Sequence, residues 1–481
     1  MDVIVVGAGS AGSVVARRLV DAGAAVTLLE AGGEDTNPAI HDPSRAGELW
    51  HGPEDWDHYT VPQPHAANRR LHLPRGKVLG GSHALNAMIW VRGAPADYDG
   101  WALPGWAWAD VEPVFERIEK DLLEIVPNEP LHPIQRSIVD AAMENGLPYN
   151  PDYNGERLDG VSIQRITLRG GRRFTTWHAY ARPMLRSMTV HTGALVHRLV
   201  FRGSRVVGVL AEIGGDLREL RADQVVLCAG ALASPAILLR SGVGPADELA
   251  ALGIDVVADL PGVGRNLHDH LLSPVIFTTG RREVEPPAPS RSVTQTHLWW
   301  RSRPGLSVPD TQPICFSVPM YESWMSGPPT GFSLMAGMVS PRSRGSLRLS
   351  GPDPADEPLI DLAALADPAD FESLVASVEQ CREIGRAPAL AGEWGARELY
   401  PGPDADVREY VRRTAITYHH QVGTCRMGTG EPAVTGPELT VHGLDGLRVA
   451  DASVLPRVTT GNTNAPAVLV GEQAARFILD H

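Results

Sequence analysis

Three glycines near the amino terminus have the spacing of a nucleotide-binding turn. They form the pattern Gly7-x-Gly9-x-x-Gly12, and Glu30 follows 18 residues after the last of them. In such a turn the first glycine permits a tight bend, the second lets the backbone approach a pyrophosphate, and the third lets a helix pack closely on a strand. A carboxylate at this distance accepts a hydrogen bond from a ribose hydroxyl. The pattern predicts a dinucleotide site, but it does not distinguish FAD from NAD because both use the same turn.

Two further groups of residues have types that suit chemistry. Gly80 and Gly81 form a double glycine that opens an apolar, helix-capable stretch, so this segment is either a tight turn or a second place where backbone donors approach a ligand. His419 and His420 lie side by side near the carboxyl terminus, and Asn464 follows before the last apolar stretch. A zinc site would need carboxylate or cysteine partners at helical spacing, which this segment lacks. Asn464 also suits a purely structural helix cap.

The elements that must hold these residues alternate between strands and helices. Apolar, β-branched runs at 3–6, Ala25–Leu29 and 224–230 predict buried parallel strands. Helical spacing at 13–22 and 231–240 follows the first and the third of them. Strands that alternate with helices at both ends of the chain predict an open α/β sheet.

The middle of the chain has a different pattern. Residues 272–415 contain alternating, strand-like segments and predict a second domain with an antiparallel sheet, to which residues 150–188 also contribute. Residues 1–271 and 416–481 would then form the nucleotide-binding domain, with 34–73 as an extended surface excursion. Four aromatic residues of the middle segment are expected either to pack in the core or to line a pocket: Trp299, Trp300, Tyr321 and Trp324.

Composition restricts the class of protein. The 481 residues carry a net charge of −14, which disfavours binding to nucleic acid or to an anionic membrane. No apolar run approaches the ~18 residues of a membrane span, and the first strand begins too early for a secretory signal to precede it. The four cysteines have no disulfide or metal-binding spacing. We therefore expect a cytoplasmic protein without a structural metal.

Four separate stretches, in the right order, resemble the glucose–methanol–choline (GMC) flavin oxidoreductases. They are the amino-terminal glycine turn and residues 76–93, 230–244 and 420–466. The third stretch matches a signature of that family at every defined position. The resemblance implies a Rossmann-type FAD-binding domain beside an α+β substrate domain built on an antiparallel sheet. It also implies FAD as the cofactor.

The resemblance carries catalytic roles onto individual residues. His420 stands where the family has its active-site base, and Asn464, 44 residues later, stands where we expect the histidine or asparagine that is its partner. Leu85 occupies the position at which some members attach the flavin to a histidine, so FAD is expected to be held non-covalently. The resemblance makes His268 and His270 structural rather than metal ligands.

It also implies which residues contact the cofactor. Asn86 and Ala87 should lie near the reactive edge of the flavin and Asp451 near its polar tail. The full set expected at FAD is Gly7, Gly9, Ser10, Ala11, Gly12, Glu30, Ala31, Gly80, Gly81, Asn86, Ala87, Met88, Val196, Ala229, Gly230, Asp451, Ala452, Asn464 and Ala465.

The implied reaction is oxidation of an alcohol to an aldehyde or ketone. An imidazole takes the hydroxyl proton, hydride passes to the flavin, and oxygen or another acceptor then reoxidises the flavin. Two alternatives stay open: a hydroxynitrile lyase of the same family, and an NAD-dependent dehydrogenase built on the same glycine turn. The sequence does not identify the alcohol, the acceptor or the oligomeric state, and it leaves the roles of His83 and His419 open.

Overall fold

The computed structural model describes residues 1–480, and it contains the expected parallel sheet, which is built from both ends of the chain. Five strands lie side by side in this sheet, which we call the nucleotide sheet. In spatial order they are Leu447–Val449, Gln224–Leu227, Asp2–Val6, Ala25–Leu29 and Thr189–His191. All neighbours are parallel, with Asp2 opposite Ala25 and Val3 opposite Gln224. Because its central strands are buried, their side chains are almost all aliphatic.

A second, antiparallel sheet lies in the middle of the sequence, and we call it the substrate sheet. Its strands are, in order, Ala396–Tyr400, Leu271–Thr279, Phe332–Met338, Ile314–Phe316, Thr294–Trp299 and Gly160–Ile163, with Ile416–Thr417 also paired to Leu271–Thr279. The sequence prediction of an α/β fold with an antiparallel second sheet is thus confirmed.

Helices cover both sheets. The helix Ser10–Asp21 follows the first glycine turn and packs against the final helix, Asn464–Leu479. The helix Pro368–Gly385 packs on the substrate sheet. The other α-helices are Pro38–His41, Pro95–Asp99, Trp108–Lys120, Pro133–Glu144, Gly230–Arg240, Ala246–Ala251 and Val407–Thr414.

Smaller strands complete the fold. A meander is formed by Ala194–Arg202, Arg205–Ile213 and Asp216–Arg221. Ladders of two or three short strands join Val243–Gly244 with Ala258–Asp259, Arg265–Leu267 with Gly345–Arg348 and Leu359–Asp361, Ile125–Pro127 with Arg165–Arg169 and Arg172–Arg173, and His58–Tyr59 with His72–Leu73. Among residues 1–480, no helix is both long and apolar enough to cross a membrane.

Two irregular segments lie beside the cavity described below. The stretch after Gly80 forms a single 3₁₀ turn, Gly81–Ala84, and then continues as irregular backbone, although its residues suit a helix. Residues 34–73, which the sequence predicts as a surface excursion, are mostly exposed or half-buried, and Trp50 and Trp56 of this segment also line the central cavity.

Candidate active site

One cavity of about 700 Å³ connects residues from the two ends of the chain. It extends from the amino-terminal glycine turn, past the ends of the nucleotide-sheet strands, to His420 beside the substrate sheet. Most of the residues expected at a cofactor line it: Gly7, Gly9, Ser10, Ala11, Glu30, Ala31, Gly81, Asn86, Ala87, Val196, Ala229, Gly230, Asp451, Ala452 and Asn464. Gly12, Gly80, Met88 and Ala465 are not among the lining residues.

The two glycine segments meet at one end of this cavity. Gly7 has φ of +102°, and a β-carbon there would lie 2.4 Å from the carbonyl oxygen of Cys228. Gly81 has φ of +54°, and its β-carbon would lie 2.8 Å from the α-carbon of Gly9. Two backbones that approach this closely leave room for a ligand beside them but none for side chains between them. The geometry suits the pyrophosphate of an extended dinucleotide.

Glu30 stands at the end of the strand Ala25–Leu29, where the sequence places it. Its two carboxylate oxygens accept backbone hydrogen bonds from Ala8 and Gly32, each at 2.9 Å. Burial raises the pKa of Glu30 to about 7. Each oxygen has a second lone pair, so the carboxylate can hold the glycine turn and still accept a ribose hydroxyl.

Asp451 organises the start of the helix Gly230–Arg240. Its carboxylate accepts the backbone N–H of Gly230 at 2.9 Å and the hydroxyl of Ser234 at 2.5 Å. A carboxylate at this helix start is favoured by the helix dipole, although burial raises the pKa of Asp451.

His420 lies at the other end of the cavity, and its backbone and ring are both held in place. The backbone N–H of His420 donates to the buried carboxylate of Asp269 at 2.8 Å. The His420 ring stacks on that of Tyr418, with the ring centroids 4.5 Å apart. Burial, with smaller effects of His270, His419 and Arg75, holds the pKa of His420 well below its usual range. The imidazole is therefore neutral near pH 7 and is able to accept a proton.

The partner of His420 is Asn462 and not the predicted Asn464. Asn462 Nδ2 lies 3.2 Å from His420 Nε2, and Gln312 Nε2 donates to Asn462 Oδ1 at 3.1 Å. Asn464 is the first residue of the final helix, and its Oδ1 accepts the hydroxyl of Ser10 at 2.7 Å. The structure thus brings Asn464 to the glycine turn and to the cavity wall, but not to His420.

The other histidines of the motifs have distinct surroundings. His83 is buried, and its ring nitrogens contact Thr167 Oγ1 at 2.8 Å and the N–H of Thr176 at 3.2 Å. Leu85 lines the cavity beside it. His419 has φ of +66°, its ring contacts Thr417 and Trp50, and its carbonyl accepts a hydrogen bond from Arg75 at 2.7 Å.

His268 and His270 have different surroundings in the structure. His268 contacts the carbonyl of Asn266 and accepts the N–H of Val458, which is a structural role. His270 contacts His420 directly. The sequence offered no sign of this contact, because the two histidines are 150 residues apart.

Comparison with known proteins defines the class to which this fold and site belong. Family models described as GMC oxidoreductase match residues 1–272 and 341–471. The chain belongs to the GMC oxidoreductase family, as the sequence motifs predicted.

Three relatives are similar over essentially their full lengths. An uncharacterised GMC-type oxidoreductase of Mycobacterium tuberculosis is 38% identical, with 99% of both chains covered. An oxygen-dependent choline dehydrogenase of Rhizobium etli is 34% identical, with 99% of this chain and 95% of the relative covered. The crystal structure of pyridoxine 4-oxidase from Mesorbium loti superposes with a TM-score of 0.95 at 35% identity, with 100% of this chain and 99% of the other covered.

Proposed function

We propose that this protein oxidises an alcohol to an aldehyde or ketone with FAD bound in the central cavity. The observation that carries the proposal is the pairing of His420 with Asn462 at one end of a cavity whose other end is built from two glycine turns. Family membership supports FAD over NAD. FAD, when bound, accepts the hydride of the carbinol carbon.

The protein's own residues handle the proton. His420 Nε2 takes the proton of the substrate hydroxyl, since the ring is neutral and this nitrogen lies beside the Asn462 amide in the cavity wall. The Asn462 amide donates to the oxygen as negative charge develops on it, and Gln312 fixes the orientation of that amide. These roles replace the pairing with Asn464 that the sequence predicted.

The cavity wall near His420 favours an uncharged substrate with an apolar or aromatic body. This part of the wall is largely apolar and includes Leu272, Ile314, Phe316, Met335, Ile416 and Tyr418. Glu322 also lines it, but Arg69 lies 3.6 Å away and balances its charge. A quaternary ammonium ion would need an unbalanced carboxylate and an aromatic cage.

Two tryptophans of the middle segment that could have contributed to such a cage, Trp299 and Trp324, lie elsewhere. Trp299 is fully buried and packs against Tyr153 and His297. The Trp324 residue is 47% exposed and stacks with Arg413. Neither lines the cavity. Trp50 and Trp56 of residues 34–73 do line it, but the Glu322 carboxylate in the wall is balanced by Arg69, so we expect aryl or other neutral alcohols to be oxidised faster than choline.

Anaerobic mixing of the flavin-loaded protein with a panel of alcohols tests the proposal. Bleaching of the oxidised flavin band by an aryl alcohol, lost in His420→Gln and kept in the exposed control His65→Ala, is the expected result. Admission of air then distinguishes an oxidase, which recovers and produces hydrogen peroxide, from a dehydrogenase that needs another acceptor. A flavin that dithionite reduces but no alcohol bleaches would contradict the proposal, and cyanohydrin cleavage would be assayed next.

A further inference from the structure

The contact between His270 and His420 is the least expected feature of the site. Their Nδ1 atoms lie 3.0 Å apart, with the two rings nearly perpendicular at 87°. Both side chains are buried, and His270 has no exposed surface. Two neutral imidazoles can share this contact only if one Nδ1 carries a proton and the other presents a lone pair.

The contact is part of a longer chain of hydrogen bonds. Gln312 contacts Asn462, Asn462 contacts His420 Nε2, and His420 Nδ1 contacts His270 Nδ1. Two arrangements satisfy these contacts. In the first, Gln312 donates to Asn462, Asn462 donates to His420 Nε2, and His420 Nδ1–H donates to His270 Nδ1. In the second, both amides are flipped, His270 Nδ1 carries a proton, and every bond runs the other way.

The two ends of this chain of contacts decide between the arrangements. Gln312 Oε1 and His270 Nε2 are both buried and have no hydrogen-bond partner among residues 1–480. The second arrangement would put the amide nitrogen of Gln312 in the place of that oxygen and would leave both of its N–H groups unpaired. The first arrangement leaves only one unpaired N–H, that of His270 Nε2. Because a buried donor without a partner is costly, the first arrangement is favoured.

We propose that His270 is a positioning residue that holds His420 in the form protonated on Nδ1. The lone pair then lies on Nε2, where it accepts from Asn462 in the resting site and takes the substrate proton in the reaction. The inference rests on the proposed function of His420 as the base. His270 accepts the Nδ1–H of His420 through its own Nδ1. When His420 takes up the substrate proton, this hydrogen bond strengthens because the donor becomes an imidazolium.

No carboxylate takes this role, although one is close. The buried Asp269 precedes His270, but its oxygens accept the backbone N–H of His420 and the side chain of Gln421. The other titratable groups around His420 are Arg75, His419 and Tyr418. A neutral imidazole orients the base without adding a negative charge that would hold the proton on it after transfer.

Two substitutions of His270 test the inference in the flavin-loaded protein. His270→Phe keeps a ring against Tyr418 but removes the acceptor. His270→Asn keeps an acceptor oxygen close to the position of Nδ1. The rate constant of flavin reduction at saturating alcohol should fall about 10- to 100-fold in the Phe variant, which corresponds to loss of one hydrogen bond to a charged group. The Asn variant should recover most of the rate, and the apparent affinity for the alcohol should stay within about threefold in both.

Ring-nitrogen NMR of protein labelled with ¹⁵N-histidine gives a second readout that does not depend on turnover. The signals of His420, assigned from their loss in His420→Gln, should indicate protonation of Nδ1 in the native protein and in His270→Asn. They should indicate a shift toward protonation of Nε2 in His270→Phe. A native His420 protonated on Nε2, or a Phe variant as fast as the native protein, would overturn the inference. If no alcohol reduces the native flavin, the proposed function fails, while the NMR result still tests His270.

Discussion

At the scale of single residues, Asn462 and Asn464 are two positions apart in sequence but contact different parts of the site. Asn462 lies 3.2 Å from the base, whereas Asn464 holds Ser10 at the glycine turn. We expect Asn462→Ala to lower the rate constant of flavin reduction by about 10² to 10³, as loss of one donor to a developing oxyanion does. Asn464→Ala should change that rate by less than about tenfold and should instead weaken retention of FAD. Stopped-flow reduction and the flavin-to-protein ratio measure the two effects, and the reverse pattern would restore the predicted role of Asn464.

Leu85 predicts that FAD is held non-covalently. Its side chain is buried and lines the cavity, and an aliphatic group cannot form a bond to the flavin. The neighbouring His83 already has both ring nitrogens in contact with Thr167 and Thr176. Denaturation of the holoprotein in acid should therefore release all of the yellow chromophore into the supernatant. Flavin fluorescence retained on the precipitated chain in a denaturing gel would contradict this.

At the scale of elements, the site depends on the meeting of two glycine turns that are far apart in sequence. Gly81→Ala would place a β-carbon 2.8 Å from the α-carbon of Gly9 at a φ of +54°. Strain of this kind costs about 1–3 kcal/mol, so we expect the dissociation constant for FAD to rise about tenfold or more. Gly33→Ala is the matched control, since a β-carbon there meets no atom within 4 Å. Calorimetric titration of apoprotein with FAD compares them, and equal affinities would mean that the turns do not form the FAD site.

The sequence predicts those elements whose pattern is local. The strand Ala25–Leu29 and the helix Gly230–Arg240 follow from apolar runs and from glycines at or near their ends. The pairing of His420 with Asn462 does not follow, because it depends on where the final helix begins. The sequence predicts a closing helix that starts at Ala467, with Asn464 in the capping segment before it. The observed start at Asn464 turns this residue toward the helix Ser10–Asp21 and leaves Asn462 to face the base.

The middle of the chain is harder to predict for a related reason. An aromatic residue can line a cavity or fill a core with the same sequence pattern, and only tertiary contacts decide. Tyr321 lines the cavity, whereas Trp299 is in the core. The contact of His270 with His420 likewise joins two segments that are distant in sequence. Neither outcome has a signature in the local order of residues.

At the scale of the whole molecule, the buried titratable groups determine how stability depends on pH. Burial lowers the pKa of six histidines to about 3 or 4: His58, His83, His268, His270, His297 and His419. Burial also holds the pKa of His420 well below its usual range. Burial raises the pKa of Glu30 and Asp269 to about 7 and that of Asp97 to about 6. These two sets act in opposite directions between pH 4 and 7.

The contribution of the histidines to the free energy of unfolding should outweigh that of the carboxyl groups, so the protein should lose stability as the pH falls below about 6.5. Each histidine with a lowered pKa is neutral in the folded state but takes up a proton when the chain unfolds, so its contribution is present above pH 6.5 and is lost as the pH falls toward 3 or 4. The three carboxyl groups contribute in the other direction, because their stabilising protonated form is lost as the pH rises through 6 to 7, but they are fewer. Calorimetry of the holoprotein at constant ionic strength should therefore give a higher Tm at pH 7 than at pH 5.5. Surface charge alone predicts the opposite, since the isoelectric point near 5.6 minimises repulsion. A Tm that is highest near pH 5.6 would mean that repulsion among surface charges outweighs the buried histidines.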